Sequence, residues 1–208
     1  VNFEEVSEIG TIVYLAVEGE YAGSLLIADA IKEDAAAAIA TMKERGVEHI
    51  IMLTGDAQSV GDAVAKKLGI SEVYSELLPQ DKVEKFEEIL ARKGKKEKVA
   101  FVGDGINDTP VLARSDIGFA MGGLGSDAAI EAADVVIMDD KPSKIGTAMQ
   151  VAKDTRRIVW QNIFFALGVK GLFLILGAFG VASMWEAVFA DVGVTVIAVI
   201  NAMRILNK

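Results

Sequence analysis

The sequence contains no cysteine. That excludes a disulfide framework, a zinc–thiolate cluster and a thiol nucleophile. Histidine is almost missing too. The single His49 cannot assemble an imidazole metal cluster, and its place in GVEHIIML, ahead of an apolar run, gives it an ordinary structural role. Positive charge is scarce: 21 Lys and Arg stand against 30 Asp and Glu, a formal net charge of −9. Nucleic-acid affinity comes mainly from neutralising phosphates with cationic side chains, so this balance argues against a nucleic-acid partner. The opening VNFEEVSEIG lacks the basic start and apolar stretch of a signal peptide. It also lacks an initiator Met, so residue 1 reads as a cut end.

What is present is unevenly placed. The 208 residues suit one or two domains with a sizeable core. Hydrophobic residues make up 52% and charged residues 25%, and the mean hydropathy of +0.38 is high for a soluble protein. Segregation reconciles the two. Charges are dense up to about Arg157 and nearly vanish after it.

Within the charged part, TIVYLAVEGEYAGSLLI reads as two strands around EGE, a hairpin. KEDAAAAIATMKERG is an Ala-rich helix ended by Gly46, and AQSVGDAVAKKLG a second, closed by Gly69. DKVEKFEEILARKG repeats the pattern, with Phe86, Ile89 and Leu90 on one face. HIIML, KVAFV, IGFAM and DVVIM are short buried strands. This alternation predicts an α/β fold, a parallel sheet with helices on both faces. Ligands in such folds sit at the carboxyl ends of the strands. Thr54 and Asp104 each follow a strand, so TGD and GDGIND fall on one rim.

From Ile158 onward the chain is apolar for about two membrane crossings, at roughly 20 residues each. A turn is expected in GAFGVAS, where Gly177 and Gly180 break the pattern. Lys153, Arg156 and Arg157 precede the first span, Arg204 and Lys208 end the second, and the turn has no Lys or Arg. Positive residues stay in the cytoplasm, which puts both ends there and the turn outside. Trp160 and Trp185 fall near opposite interfaces.

The stretch FVGDGINDTP carries the chemistry. Asp104 and Asp108 on a Gly-rich loop suit Mg²⁺, which takes oxygen ligands and keeps several waters. Asp104 is the direct ligand and Asp108 orients a ligand or water. Asn107 can donate to a phosphate oxygen or cap the helix that starts there. Thr54 and Gly55 can offer a hydroxyl and backbone N–H groups to a phosphoryl oxygen. Lys82 opens a helix where the dipole would prefer an acid, which fits a lysine reaching for an anion.

In order, Thr-Gly-Asp, a helix-opening Lys and Gly-Asp-x-x-x-Asp resemble the haloacid-dehalogenase-like phosphotransfer fold. Within it they resemble the P-type ATPases, ion pumps phosphorylated on aspartate. MLTGD, GDGINDTPVL and AMGGLGSDAAIEAADVVIM all resemble the phosphorylation domain of those pumps. The resemblance implies a haloacid-dehalogenase-like Rossmannoid sheet followed by a two-helix transmembrane hairpin. Residues 1–28 would end a nucleotide-binding domain, 29–150 form the phosphorylation domain and 151–208 the hairpin. It implies Mg²⁺ on Asp104, supported by Asp108, and a phosphoryl group contacted by Thr54, Gly55, Asp56, Lys82 and Asn107. ATP would be the substrate of the whole pump.

The family's nucleophile is the Asp of a DKTGT motif, and this sequence contains no such stretch. Asp29 ends SLLIAD but is followed by AIKEDA, without the supporting Thr and Gly. The chain therefore reads as a C-terminal portion whose partner is the missing N-terminal part of the same pump, and alone it should not form an aspartyl phosphate. The alternatives are a membrane-anchored phosphohydrolase using Asp29, and a regulatory membrane protein that binds Mg²⁺ or phosphate without turnover.

Lys170 and Asp191 lie inside the apolar spans, where charges are expensive, usually paired and mark ion paths. FADVGVTVIAVINAMRIL resembles the zinc/cadmium/lead branch, with an Asp in the last helix as ligand of the transported metal and a Lys in the preceding helix as its counter-ion. The resemblance thus implies export of Zn²⁺, Cd²⁺ or Pb²⁺ from a multi-pass protein of the cell membrane, in contact with lipid.

Overall fold

The computed structural model describes residues 11–27, 30–103, 105–122 and 127–207. They form two compact units, residues 1–146 and 147–208.

The first unit opens with an antiparallel hairpin, β1 (Thr11–Val17) and β2 (Glu20–Ile27). Its turn is Glu18-Gly19, with φ of 53° and 87°. A two-residue loop with both φ positive matches the strand twist, and Gly19 meets that demand without a Cβ penalty. Alternating units follow: α1 (Ala35–Glu44), β3 (Ile51–Leu53), α2 (Gln58–Leu68), β4 (Glu72–Tyr74), α3 (Pro79–Arg92) and β5 (Ala100–Gly103). After β5 come a 3₁₀ turn (Ile106–Asp108), α4 (Thr109–Leu112), β6 (Ile117–Met121), α5 (Asp127–Ala132) and β7 (Val135–Ile137). α2 stops at Gly69 in the left-handed region, where the Ile70 N–H bonds the Ala65 carbonyl.

Every strand pairing from β3 onward is parallel, as the alternation predicts. The strands form two ladders rather than one: β3–β4, and β5–β6–β7. β3 and β5 are therefore both edges among the described residues. β4 escaped the sequence reading because EVY holds one aliphatic residue between two polar-tipped ones.

The core lies under β5 and β6. Phe86 of α3 is fully buried and meets Phe101 edge-on, with centroids 5.5 Å apart. Val111 and Leu112 of α4 and Phe119, Ala120 and Met121 of β6 are all buried, and α4 packs on β6. The short α4 thereby anchors the loop that precedes it.

The second unit is a helix pair. α6 (Ser143–Ala178) begins in the first unit and runs on into the second; α7 (Met184–Met203) follows, ending in a 3₁₀ turn (Arg204–Asn207). Both helices are long and apolar enough to cross a membrane. The turn differs from expectation in one respect: Gly177 stays within α6, and Gly180 breaks it, at φ 71°. The Val181 N–H reaches the Leu176 carbonyl at 2.9 Å and the Gly180 N–H reaches that of Gly177 at 3.0 Å, a Schellman ending. α7 starts with the Ser183 N–H donating to the Glu186 carboxylate at 2.7 Å.

Candidate functional site

β3 delivers Thr54 to the rim, where its N–H bonds the Tyr74 carbonyl at 2.9 Å. The Thr54 hydroxyl donates to the Asp56 carboxylate at 2.7 Å and accepts the Asp56 N–H at 3.1 Å. Asp56 thus fixes the Thr54 rotamer. A carboxylate offers nothing to a phosphate, so its contribution to a phosphate site comes through Thr54 and through its backbone. The Thr54 carbonyl accepts the Leu77 N–H at 3.1 Å, which ties the TGD turn to the segment entering α3. Gly55 lies so close to that segment that a Cβ would stand 3.3 Å from the Leu77 carbonyl oxygen. On α2, a Cβ at Gly61 would stand 2.2 Å from Ser75 Oγ. Only glycine lets α2 seat against the β3–β4 rim, a demand that VGDAVAKKL does not betray.

α3 is opened by Pro79 and by the Leu78 N–H donating to the Asp81 carboxylate at 2.9 Å. Lys82 then projects across the rim, and its Nζ lies 3.1 Å from Asp108 Oδ1. Asp108 is the one buried charged residue among those described, 8% exposed. It sits where it does because Gly103, at the end of β5, has no side chain. A Cβ there would stand 2.7 Å from Asp108 Cβ and 2.9 Å from its Oδ2.

Asp104 lies outside the described residues. Asn107 is exposed and makes no side-chain hydrogen bond among them. α4 takes Asp108 as its N-cap, without a side-chain capping bond, so the capping role expected of Asn107 is not found. The Thr109 hydroxyl beside Asp108 is buried without a partner. Asp29 also lies outside the described residues.

The donor chemistry here is all hard oxygen. No group of three or more His, Cys, Asp or Glu gathers among the described residues. That fits Mg²⁺, which needs only one or two carboxylates besides water and substrate phosphate. Asp108, with Asp104 from the same loop, would hold it.

In the helix pair, Lys170 Nζ lies 3.0 Å from Asp191 Oδ1, bringing together the two charges that the sequence singled out. Their side chains remain 58% and 55% exposed, so the two helices alone do not enclose them. They line a groove of about 350 Å³ with Asn162, Val194, Thr195 and Ala198 among its walls. Asn162 and Asn201 clasp the same seam: Asn162 Nδ2 donates to the Ala198 carbonyl at 3.0 Å, and Asn201 Nδ2 to Asn162 Oδ1 at 2.8 Å. Between apolar helices in lipid such bonds act as glue. The sequence reading missed them, although two amides inside apolar runs were the available signal.

A family model described as haloacid dehalogenase-like hydrolase matches residues 2–116. The chain belongs to that family. This haloacid dehalogenase-like chain is 66% identical over 198 residues to the cadmium, zinc and cobalt-transporting ATPase of Bacillus subtilis (strain 168), a match covering 95% of this chain and 28% of that protein. It is 59% identical over 196 residues to the zinc-transporting ATPase of Synechocystis sp., covering 94% of this chain and 27% of that one. The crystal structure of a zinc-transporting PIB-type ATPase in its E2.Pi state matches 94% of this chain and 31% of its own, with a TM-score of 0.83 and 36% identity. The haloacid dehalogenase-like chain thus spans a little over a quarter of the length of the curated relatives it matches.

Proposed function

We propose that this chain is the phosphate-handling and final membrane portion of an ATP-driven pump that exports a divalent heavy metal, zinc, cadmium or lead, through an aspartyl phosphate. The observation that carries the reading is the Lys170–Asp191 pair, 3.0 Å apart within two membrane-length helices. Charges there disfavour insertion by a few kcal/mol each and are kept for a purpose. The names of the relatives, cadmium- and zinc-transporting ATPases, support the same cargo. In this reading residues 1–28 end a nucleotide-binding domain, 29–150 form the phosphorylation domain, and 151–208 form a hairpin in the cell membrane with both ends cytoplasmic.

The nucleophilic aspartate comes from the rest of the same pump. Its strand would fit between β3 and β5, two of the four strand edges left open in the parallel ladders among the described residues. As the aspartate oxygen bonds the γ-phosphorus and the bond to ADP breaks, negative charge spreads over the transferring oxygens. Lys82 swings from Asp108 to meet that charge, and the Thr54 hydroxyl and the amides at Gly55 and Asn107 donate to it. Magnesium, when bound at Asp104 and Asp108, adds neutralisation of the phosphoryl charge. In the membrane, the exported cation and the Lys170 ammonium compete for Asp191, and the pair closes once the metal has left.

The test uses the full-length pump in sealed vesicles. ATP-driven zinc transport is expected to fall to background in Asp191→Ala, and transport at the normal rate would sink the reading. Phosphatase activity of the 208-residue chain that disappears in Asp29→Asn would instead favour the anchored phosphohydrolase.

A further inference from the structure

A second polar feature of the helix pair lies apart from the Lys170–Asp191 groove. Where the end of α7 meets α6, a cavity of about 100 Å³ is lined by Asp154, Arg157, Ile158, Gln161 and Arg204. It gathers one guanidinium from each arm of the hairpin against one carboxylate. Arg157 makes no ion pair or hydrogen bond among the described residues. Arg204 donates Nη1 to Asn201 Oδ1 at 2.9 Å and has no acidic partner among them. Asp154 accepts from Gln150 on its own helix at 3.1 Å. Positive charge is therefore in surplus and aimed into a space the size of a phosphate group.

The depth of the cavity is set independently. Arg157 immediately precedes the apolar run of α6, and Arg204 follows that of α7. Trp160, one turn from Arg157, stacks on Phe164 with centroids 5.4 Å apart, the kind of aromatic that sits at headgroup level. Guanidinium forks match phosphate oxygens in pairs, and basic pockets between membrane helices on the cytoplasmic side hold lipid headgroups.

We propose that this cavity binds the headgroup of an anionic phospholipid that carries hydroxyls, the phosphatidylglycerol class. The phosphodiester lies between Arg157 and Arg204. The glycerol hydroxyls donate to the Asp154 carboxylate, while the Gln161 amide oxygen accepts from Asn201 Nδ2 at 3.4 Å beside it. The carboxylate is what selects: it repels a bare dianion and accepts from a hydroxyl. The proposal rests on reading α6 and α7 as membrane spans, and the experiment separates the two.

The two tryptophans fall on opposite arms, so each serves as its own reporter. The full chain is placed in lipid nanodiscs doped with brominated lipids, which quench nearby indoles. In Trp185→Phe, only Trp160 reports. Brominated phosphatidylglycerol is expected to quench it roughly thirtyfold more, mole for mole, than brominated phosphatidylcholine, given about 1 kcal/mol for each of the two arginines near the surface. Arg157→Gln with Arg204→Gln should bring quenching down to the phosphatidylcholine level. Lys153→Gln with Arg156→Gln, an equal charge loss outside the cavity, should not. Equal weakening by both pairs, or none by the cavity pair, overturns the proposal. So does relief of quenching by millimolar inorganic phosphate, which would make this a site for the free anion. If the glutamine pair loses helical content, Arg157→Lys with Arg204→Lys is read instead; it keeps charge but loses the fork and should still lose most of the preference. In Trp160→Phe, failure of brominated phosphatidylcholine to quench Trp185 would sink the membrane reading itself.

Discussion

Asp108 and Lys82 hold each other at the rim with little solvent to share, 12% and 19% exposed as side chains. The two deletions should not be equivalent. Lys82→Ala strands a carboxylate in a mostly buried place, and a loss of about 2–3 kcal/mol is expected. Asp108→Asn leaves a lysine that can still extend toward water, so the loss should be smaller, about 1 kcal/mol. Urea unfolding followed by circular dichroism checks the order, and equal losses would mean that the carboxylate left by Lys82→Ala finds water or another partner. Gly103→Ala should act on the same carboxylate from behind. The new methyl and Asp108 cannot share the space, so phosphoenzyme formation by the full pump should fall at least about tenfold, the size of effect a displaced site residue produces. Wild-type labelling in that variant would show that Asp108 has room to shift. At this scale the sequence pointed to the pairing of Lys170 with Asp191, two charges inside apolar runs, and the structure brings them to 3.0 Å. It was mute where orientation decides. Nothing in TGD says that Asp56 grips the Thr54 hydroxyl, and nothing in GINDTP says that Asp108 rather than Asn107 begins the helix.

Among the elements, α3, β5 and β6 are pinned at their far ends by one carboxylate. Asp116 accepts from Lys93 at the end of α3, from Lys98 at 2.9 Å, and from the Val99 N–H that leads into β5. The Lys93 bond, then the Val99 amide and Lys98, hold its pKa far below the usual carboxylate value. A carboxyl more acidic folded than unfolded stabilises the fold above its unfolded pKa, near 4, and loses that contribution as pH falls toward its folded pKa. Asp116→Asn should therefore melt below wild type near neutral pH, with the gap narrowing only under about pH 4. A gap that closes between pH 6 and 8 would point to another group. In the hairpin, Gly180→Ala should reduce stability by about 1 kcal/mol, because the Schellman ending needs the left-handed region. Helix ends at Gly46, Gly69 and Gly180 could be read from the chain. The break between the β3–β4 and β5–β7 ladders could not, because periodicity identifies strands and leaves their order open.

For the whole molecule, the division between a charged α/β unit and an apolar helix pair was plain from hydropathy alone, since charges are dense up to about Arg157 and nearly vanish after it. On the proposed reading the 208-residue chain should take no acid-stable phosphate from radiolabelled ATP, whereas the full-length pump should. Labelling of the chain by itself would mean that it carries its own nucleophile. The pair between Lys170 and Asp191 also has an electrical consequence. On the proposed reading the tethered ammonium balances the Asp191 carboxylate once the cargo has left, so no ion need travel inward to balance it. On that reading each divalent ion exported would move two positive charges outward with nothing returned. Against an interior-negative membrane this is work of about 4.6 kcal/mol per 100 mV. Turnover should register as a net outward current on a supported membrane, and should slow as the potential across the membrane rises.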